Sequence, residues 1–373
     1  MTTTIRNTER EYGLDLLRNL SMAFVIVLHL IGHGGMGDIF PDNTVVGIFV
    51  DLANYAVYPA VNCFVLLSGY LLCERPFRLE RIAKTWIPAV FWSVTIQCAF
   101  FLKNPDSFSV GTAVYMFLPL LNGRYWFLNA YIAMMIFSPA LNRILRDMPQ
   151  WQLRGILLSC VLIFCVAPIL ALGSDVFKTQ NGYGFTWFLA LYLWGGYIRM
   201  YTPKLNRKQS GYALLGYAVL VVGQLLWVRL TGILSGRLAL AGQLSGLFLR
   251  YTSIPVFGSA ICLLLYFRSE RFSRSGQLYA LLSRVSGLVF AVYLIHDHPL
   301  IRETVIQNLF YGIQDSAWYL TLLYSAGIVV IVFLVCVVAE WLRVKLFHIL
   351  RLDVAVENLC RKLTNQLTLL LKR

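Results

Sequence analysis

The feature that most constrains the fold is a series of apolar stretches, each about as long as the 20 residues that a helix needs to cross a bilayer. Of the 373 residues, 58% are hydrophobic and only 13% are charged. Soluble domains carry about 25% charged residues, so the sequence predicts an all-α polytopic membrane protein. We expect about ten transmembrane helices, near residues 14–34, 46–72, 85–102, 124–141, 155–172, 183–200, 211–230, 243–266, 285–301 and 317–340.

One short segment and the end of the chain do not fit this pattern of spans. Residues 111–121 include Pro119 and lead into Asn122-Gly123, and they are too few to span a bilayer, so we expect a re-entrant or interfacial segment. After residue 340, apolar residues are interleaved with Lys and Arg, which is typical of an amphipathic helix on the inner leaflet. The sequence thus predicts a membrane domain over residues 1–340 and a basic amphipathic tail over 341–373.

Lys and Arg are distributed unequally between the two sets of connections. Connections after even-numbered spans are basic, as in RPFRLERIAK at 75–84, and by the positive-inside rule this side and both termini are cytoplasmic. The net charge of +14 therefore reflects membrane orientation, and no nucleic-acid partner is predicted. Seven of the 32 Lys and Arg residues fall on the outward side: Lys103, Arg124, Lys178, Arg229, Arg237, Arg250 and Arg302.

The first predicted helix, LDLLRNLSMAFVIVLHLIGH, carries ionisable residues that a membrane span does not need. Arg18 and His29 are eleven residues apart, which places them on one face of a helix, about 16 Å apart along its axis. Such groups are costly inside a bilayer and are typical of a functional site. A structural explanation stays open, in which Arg18 extends to the interface and His29 bonds to a neighbouring helix.

The ninth predicted span places a second group of ionisable residues at the depth of His29. It contains His296, Asp297 and His298, and because His296 and His298 are two residues apart, at most one of them is expected to face a given site. A histidine suits general-base catalysis on a hydroxyl, and the guanidinium of Arg18 suits a phosphorylated donor. The separation of Arg18 from His29 is similar to the length of a pantetheine arm, which permits a coenzyme A donor.

The histidine and cysteine spacings do not indicate a metal site. No H-E-x-x-H motif occurs, and none of the eight cysteines forms a CxxC pair. We therefore expect no metal and no disulfide framework.

Polar and aromatic residues near the outward ends of several spans are candidates for binding the acceptor. Tyr58, Asn62 and Ser68 interrupt the second span and are candidate donors to an oxyanion, although a Ser-Gly pair also permits close helix packing. Trp126 and Trp187 open two spans, either as interfacial anchors or as platforms on which a sugar stacks.

Two outward arginines run against the positive-inside trend. Arg124 and Arg250 are suited to bind an anionic glycan or a carboxylate, or to pair with Asp297 or Glu303. The sequence leaves these alternatives open.

Five segments in order along the chain resemble the acyltransferase 3 family of membrane-bound enzymes, whose hallmark is an Arg followed by ten residues and a His in the first helix. Arg18 and His29 match this hallmark. The resemblance covers roughly residues 12–340, and the other segments that carry it are FVLLSGYLL followed by RPFRLERI, then YWFLNAYIAMMIFSPALN, FTWFLALYLWGGYIRMY and VFAVYLIHDHPL.

This resemblance implies an integral membrane enzyme of about ten helices that moves an acyl group, usually acetyl, from cytoplasmic acetyl-CoA to a hydroxyl of a cell-surface glycan. It implies that Arg18 and His29 are the essential pair, that Arg18 and the basic connection with Arg78 and Arg81 contact the donor, and that His29 is the base or an acyl relay. The stand-alone form, without a fused esterase-like domain, is expected.

We therefore predict an O-acetyltransferase of the bacterial cytoplasmic membrane that acts on a surface polysaccharide or its lipid-linked precursor, as in exopolysaccharide biosynthesis. In this hypothesis His296 or Asp297 orients His29. The alternative is a polytopic transporter or flippase for a lipid-linked glycan, although the sequence shows no pair of related halves. Homo-oligomerisation is left open.

Overall fold

The computed structural model describes residues 11–40, 44–120, 123–235, 241, 244–272, 276–307, 309–313 and 316–371. The polar N-terminal residues 1–10, Asn122, Arg237 and the last two residues of the predicted tail lie outside the described residues. Within these ranges every regular element is a helix and no strand occurs, so the all-α prediction is confirmed.

The longer helices are numbered in chain order. They are α1 (Tyr12–Gly32), α2 (Val45–Val57), α3 (Ala60–Leu72), α4 (Leu79–Lys103), α5 (Trp126–Asp147), α6 (Gln150–Leu170, with a π turn at Leu162–Val166), α7 (Phe185–Tyr201), α8 (Arg207–Ser235), α9 (Ile254–Phe267), α10 (Gln277–Ser286), α11 (Val289–His296), α12 (Trp318–Ile349) and α13 (Leu352–Leu371). Short helical turns are Met36–Ile39, Pro105–Ser107, Val110–Tyr115, Gln180–Gly182, Gly246–Phe248, Glu270–Phe272, Pro299–Ile301, Arg302–Ile306 and Tyr311–Ile313.

Seven helical segments of the described chain are long and apolar enough to cross a membrane, or eight if the bent pair α10–α11 is one span. The seven are α1, α2 with α3, α4, α5, α6, α8 and α12. Two further predicted spans, 183–200 and 243–266, correspond to the shorter helices α7 and α9, of 17 and 14 residues. The count of ten and the cytoplasmic position of the termini are therefore not confirmed and stay predictions.

Helix α1 lies at the centre of the bundle, where it packs against α2, α3, α9, α10, α11 and α12. Leu17, Met22, Ile26 and Leu30 are almost completely buried along it, and the last three follow one another at the four-residue spacing of one helix face. The helix ends before Gly34-Gly35, where Gly35 has a φ of +81° that favours glycine. A central position lets both ends of α1 contact several neighbours.

Helices α3 and α7 cross in direct backbone contact. A Cβ added to Gly69 would lie 2.1 Å from the carbonyl oxygen of Tyr192, and one added to Gly195 would lie 2.1 Å from that of Leu66. Glycine is required at both positions because any side chain would collide with the facing backbone. The small residues of the second predicted span therefore have a packing role, which was one of the two explanations left open by the sequence.

Helices α10 and α11 form one segment with a bend of 46°, and both helices contact α1. Asn19 Nδ2 donates to the Leu282 carbonyl of α10 at 2.8 Å, whereas α11 lies beside the other half of α1 and carries His296. One broken helical segment thus supplies partners for the Arg18 end and for the His29 end of α1.

The segments outside the predicted spans are helical too. Within 111–121 the described chain forms the exposed helix Val110–Tyr115, which is too short to span a bilayer. Helix α12 continues through residue 340 to Ile349, and α13 follows and packs against α4. The re-entrant or interfacial location, the domain boundary at 340 and the position of the tail on the inner leaflet stay predictions.

Candidate active site

Two histidines from distant parts of the chain form a hydrogen-bonded pair. His29 Nδ1 lies 2.9 Å from His296 Nε2, and His296 Nδ1 lies 2.5 Å from the Val292 carbonyl oxygen. Because a carbonyl only accepts, His296 carries its proton on Nδ1 and accepts through Nε2. His29 therefore donates from Nδ1, and its Nε2 is left with a free lone pair, the arrangement that a general base needs.

A carboxylate and a second histidine complete the surroundings of His29. Asp297 Oδ1 lies 3.6 Å from His29 Nδ1 and 3.6 Å from Arg302 Nη1, so both contacts are electrostatic rather than close hydrogen bonds. The His33 ring lies 5.3 Å from the His29 ring. Partial burial, and then the charge of Arg302, lower the pKa of His33 below its usual value.

These groups face a cavity of about 670 Å³, a volume suited to a small-molecule or sugar ligand. Its inner part is apolar and includes Met22, Phe64 and Phe290, whereas the region around His29 is polar. His33, Asp297 and Arg302 also line it, so a molecule in this cavity would lie directly beside the histidine pair.

One wall of the cavity is aromatic. Trp126 lies 4.4 Å from Tyr183 and 5.9 Å from Tyr251, measured between ring centroids, and Tyr58 lies 5.0 Å from Tyr251. The Tyr58 hydroxyl donates to the Leu249 carbonyl at 3.0 Å, which fixes its ring. Flat, rigid aromatic faces with polar edges can bind the apolar faces of a sugar ring while its hydroxyls remain hydrogen-bonded.

Three of the residues predicted to contact substrate are not part of the cavity lining. Asn62 Nδ2 donates to the Tyr251 carbonyl at 2.8 Å, and its Oδ1 accepts from Trp187 Nε1 at 3.1 Å. Both side chains are buried and do not line the cavity, so they position Tyr251. The Ser68 hydroxyl donates to the Phe64 carbonyl and lies 3.0 Å from the Tyr131 hydroxyl, also outside the cavity lining.

The two predicted outward arginines differ in position. Arg124 lines the cavity, and it donates to Ser93 Oγ at 3.3 Å and to Gln97 Oε1 at 3.3 Å. Arg250 is not part of the lining, but it interacts electrostatically with the Tyr58 hydroxyl of the aromatic wall. Of the pair, Arg124 is therefore placed to contact a molecule bound beside His29.

The Arg18 end of α1 is organised around a buried carboxylate. Asp15 accepts hydrogen bonds from Ser286 Oγ at 2.7 Å and from Ser283 Oγ, both on α10. Arg18 Nη1 lies 3.3 Å from Asp15 Oδ1 and 3.5 Å from Ser286 Oγ. The carboxylate thus orients Arg18 and joins α1 to α10.

The basic connection before α4 lies close to the same region. Arg81 Nη1 donates to the Pro76 carbonyl at 2.8 Å, and its guanidinium interacts electrostatically with Arg78. The Tyr131 hydroxyl interacts electrostatically with both Arg18 and Arg81. Tyr131 also stacks on Phe127 of the cavity lining, at 5.5 Å between ring centroids, so its ring lies next to the cavity lining.

Three ligand-type side chains approach one another at the cavity, a juxtaposition that the linear spacing did not indicate. Ligand atoms of His29, His33 and Asp297 all lie within 4.8 Å of one another. The guanidinium of Arg302 lies beside the same carboxylate, which opposes a bound cation. The absence of a metal stays a prediction.

Several residues of the site were not identified from the sequence. Asp15 was given no role, and Arg302 was counted only as an outward cation. Tyr293 lines the cavity, and the proton of its hydroxyl has no acceptor among the described residues. Its position three residues before His296, on the same helix face, was a signal that could have identified it. Tyr183 and Tyr251, from loops, had no such signal.

Comparison of the sequence with known proteins identifies one family. A family model described as an acyltransferase domain, Acyl_transf_3, matches residues 11–341. No curated protein and no solved structure gives a significant match. The family model covers nearly the whole chain, including the Arg18–His29 helix, the aromatic wall and the histidine pair, and the chain therefore belongs to the acyltransferase 3 family of membrane acyltransferases.

Proposed function

We propose that this protein is an O-acetyltransferase that moves an acetyl group from cytoplasmic acetyl-CoA to a hydroxyl of a bacterial cell-surface polysaccharide or its lipid-linked precursor. The observation that supports it best is the His296–His29 hydrogen bond, which leaves His29 Nε2 unprotonated beside a cavity of about 670 Å³. The family match supports acyl transfer as the chemistry. The bacterial cytoplasmic membrane is the proposed location.

In the proposed reaction, His29 Nε2 takes the proton of the acceptor hydroxyl while the hydroxyl oxygen attacks the thioester carbonyl carbon. The tetrahedral intermediate then collapses, the carbon–sulfur bond breaks, and the coenzyme A thiolate receives the proton from His29. During this cycle His296 holds the His29 ring in place, and the carboxylate of Asp297, 3.6 Å away, stabilises the imidazolium. The acceptor leaves as its acetyl ester.

The intermediate carries a negative charge on the former carbonyl oxygen, which requires a hydrogen-bond donor. Tyr293 is our first candidate, because its hydroxyl proton has no acceptor among the described residues and its ring lines the cavity. Tyr58 also lines the cavity, although its proton is shared with the Leu249 carbonyl. Asn62 and Ser68 lie outside the cavity lining and donate to the carbonyls of Tyr251 and Phe64.

The donor is proposed to enter from the Arg18 end of α1. Arg18, Arg78 and Arg81 would bind the phosphates of coenzyme A, because guanidinium groups bind phosphate through paired hydrogen bonds. Arg18 and His29 are eleven positions apart on one continuous helix, which corresponds to about 16 Å, and over this length the pantetheine arm would carry the thioester to the cavity. The acceptor sugar would approach from the opposite side, against Trp126, Tyr183 and Tyr251.

The experiment uses the purified protein in liposomes with radiolabelled acetyl-CoA and the de-O-acetylated surface glycan of the source cell. We expect label in the glycan, and loss of transfer in His29→Ala with coenzyme A binding retained. The matched control is His348→Ala, which removes an exposed histidine that pairs with Asp353 far from the cavity. Full transfer by His29→Ala at equal protein level would refute the proposal, and absence of coenzyme A binding by the native protein would favour the transporter alternative.

A further inference from the structure

We propose that Asp175 is a positioning residue of the acceptor site. It holds the loop of residues 171–184, which connects α6 with α7, in the shape that places Tyr183 beside Tyr251 at the cavity. Asp175 does not line the cavity itself, whereas both tyrosines do. The inference rests on the proposed function, which gives these two rings their role in binding the acceptor sugar.

The backbone of this loop is sterically costly. Four of the five described non-glycine residues with a positive φ lie in it, at φ values from +49° to +56°: Leu172, Lys178, Gln180 and Asn181. In this left-handed region the Cβ atom comes too close to the carbonyl oxygen. Such a conformation persists only where other contacts impose it, and it is typical of loops at functional sites.

Hydrogen bonds to the Asp175 carboxylate supply such contacts. Its Oδ1 accepts from the Thr179 amide at 2.9 Å and from the Thr179 hydroxyl at 2.8 Å, and its Oδ2 accepts from the Asn181 amide at 3.3 Å. Partial burial would raise the pKa of this carboxyl, but these bonds and one from the Gln180 amide outweigh it and lower the pKa below its usual value. One side chain thus fixes residues 175–181, which include three of the four left-handed positions.

The segment held in this way contacts both tyrosines. The Asn181 carbonyl accepts from the Tyr251 amide at 3.1 Å. A Cβ added to Gly182, whose φ is +96°, would lie 2.6 Å from the Cβ of Tyr251, so glycine is required there for both reasons. Tyr183 follows directly, and its ring centroid lies 5.0 Å from that of Tyr251 and 4.4 Å from that of Trp126. The shape of the loop therefore sets how these rings meet at the cavity.

The helix bundle itself depends little on this loop. More than half of the residues 171–184 are exposed, and the loop lies outside α6 and α7. The two tyrosines differ in their support, because Asn62 also donates to the Tyr251 carbonyl, whereas Tyr183 belongs to the loop. We therefore expect loss of Asp175 to act mainly through Tyr183 and to leave the helix packing intact.

The test measures steady-state transfer by the protein in liposomes, with acetyl-CoA and the de-O-acetylated surface glycan varied separately. Asp175→Ala should raise KM for the glycan about tenfold, because hydrogen bonds to a charged acceptor are lost. KM for acetyl-CoA and the unfolding temperature in detergent should stay close to native. Asp175→Asn, whose Oδ1 can still accept from Thr179, should give a smaller rise. The matched control is Asp106→Ala, which removes an exposed carboxylate from the loop after α4 and should change neither KM.

The outcomes separate this inference from the proposed function. Native KM for the glycan in Asp175→Ala, with transfer still dependent on His29, would overturn the inference alone. An equal rise in both KM values, together with a lower unfolding temperature, would reduce Asp175 to a general structural role and also overturn it. Absence of transfer by the native protein would refute the proposed function and this inference with it.

A double variant tests whether Asp175 acts through Tyr183. The rise in KM for the glycan in Asp175→Ala/Tyr183→Ala should be smaller than the product of the two separate rises. Hydrogen exchange gives a structural readout: the amides of Asn181 and Tyr251 should exchange faster in Asp175→Ala, whereas those of α5 keep native protection. Independent effects in the double variant, or unchanged exchange at both amides, would contradict the positioning role.

Discussion

The two ends of helix α1 are built in opposite ways. At one end Arg18 is held by a buried carboxylate, Asp15, which two serine hydroxyls of α10 also bind. At the other end His29 bonds to a second neutral ring, and its remaining nitrogen faces a cavity. The same helix thus presents a fixed charge at one end and an available lone pair at the other.

This difference corresponds to the two tasks of an acyl transfer. Binding a phosphorylated donor needs a permanent cation in a defined position, which a carboxylate partner and hydroxyls provide. Proton transfer needs a group whose protonation can change, so a neutral partner such as His296 is suitable. We therefore expect substitutions at the Arg18 end to change KM for acetyl-CoA and substitutions at the His29 end to change kcat.

Among the residues that support the two ends, the largest effect is expected from His296→Ala, which removes the acceptor of the His29 Nδ1 proton. We expect kcat to fall on the order of 1,000-fold, because His29 can then rotate or present the wrong tautomer. KM for acetyl-CoA should change little in a steady-state transfer assay. His296→Gln, whose side-chain oxygen can accept from His29, should restore part of the rate, and equal losses in both variants would contradict the orienting role.

Tyr293→Phe tests the donor proposed for the oxyanion. Loss of one such donor should lower kcat about 100-fold, without a matching rise in KM. The control is Tyr125→Phe, because the Tyr125 hydroxyl donates to the Leu294 carbonyl and its loss should lower thermal stability instead. A Tyr293→Phe variant with native kcat would remove Tyr293 from the mechanism.

At the opposite end, Arg18→Gln should raise KM for acetyl-CoA about tenfold or more, since a charged hydrogen bond to phosphate is lost. The decrease in kcat should be smaller than for His296→Ala, as measured at saturating donor. Arg143→Gln, which removes an exposed arginine paired with Asp147, is the matched control. If Arg18→Gln lowers kcat alone, the division between the two ends is wrong.

Asp15→Asn should have a milder effect of the same kind. The amide keeps the shape of the side chain but cannot pair electrostatically with Arg18, so KM for acetyl-CoA should rise about fivefold. Thermal unfolding in detergent should also shift downward, because Ser283 and Ser286 lose a charged acceptor. A loss of stability with unchanged KM would limit Asp15 to a structural role.

No effect is expected from removal of divalent metals. His29, His33 and Asp297 approach within 4.8 Å, yet the adjacent Arg302 opposes a cation, and the proposed chemistry uses His29 Nε2 as a base. Transfer activity after treatment with a chelator should therefore equal the untreated rate. A loss that zinc restores would replace the proton-transfer role of His29 with a ligand role.

Much of the fold could be predicted from the sequence because helix formation and hydrophobic length are local properties. The predicted segment 14–34 overlaps α1, Tyr12–Gly32, and 46–72 corresponds to α2 with α3. Span count was less predictable, because α7 and α9 are helices of 17 and 14 residues, shorter than the roughly 20 residues of a full span. Hydropathy identifies an apolar stretch but does not fix the length of the helix within it.

By itself, the sequence determined that Arg18 and His29 share one helix and that this helix belongs to an acyltransferase-like membrane chain, because eleven residues of regular helix fix a spacing. Only the tertiary structure decided what each residue contacts. His296 is 267 positions from His29, and Asp15 contacts two serines of α10 that are 268 and 271 positions away. Such contacts depend on which of several similarly apolar helix faces pack together, and on a 46° bend in α10–α11 that no local pattern specifies.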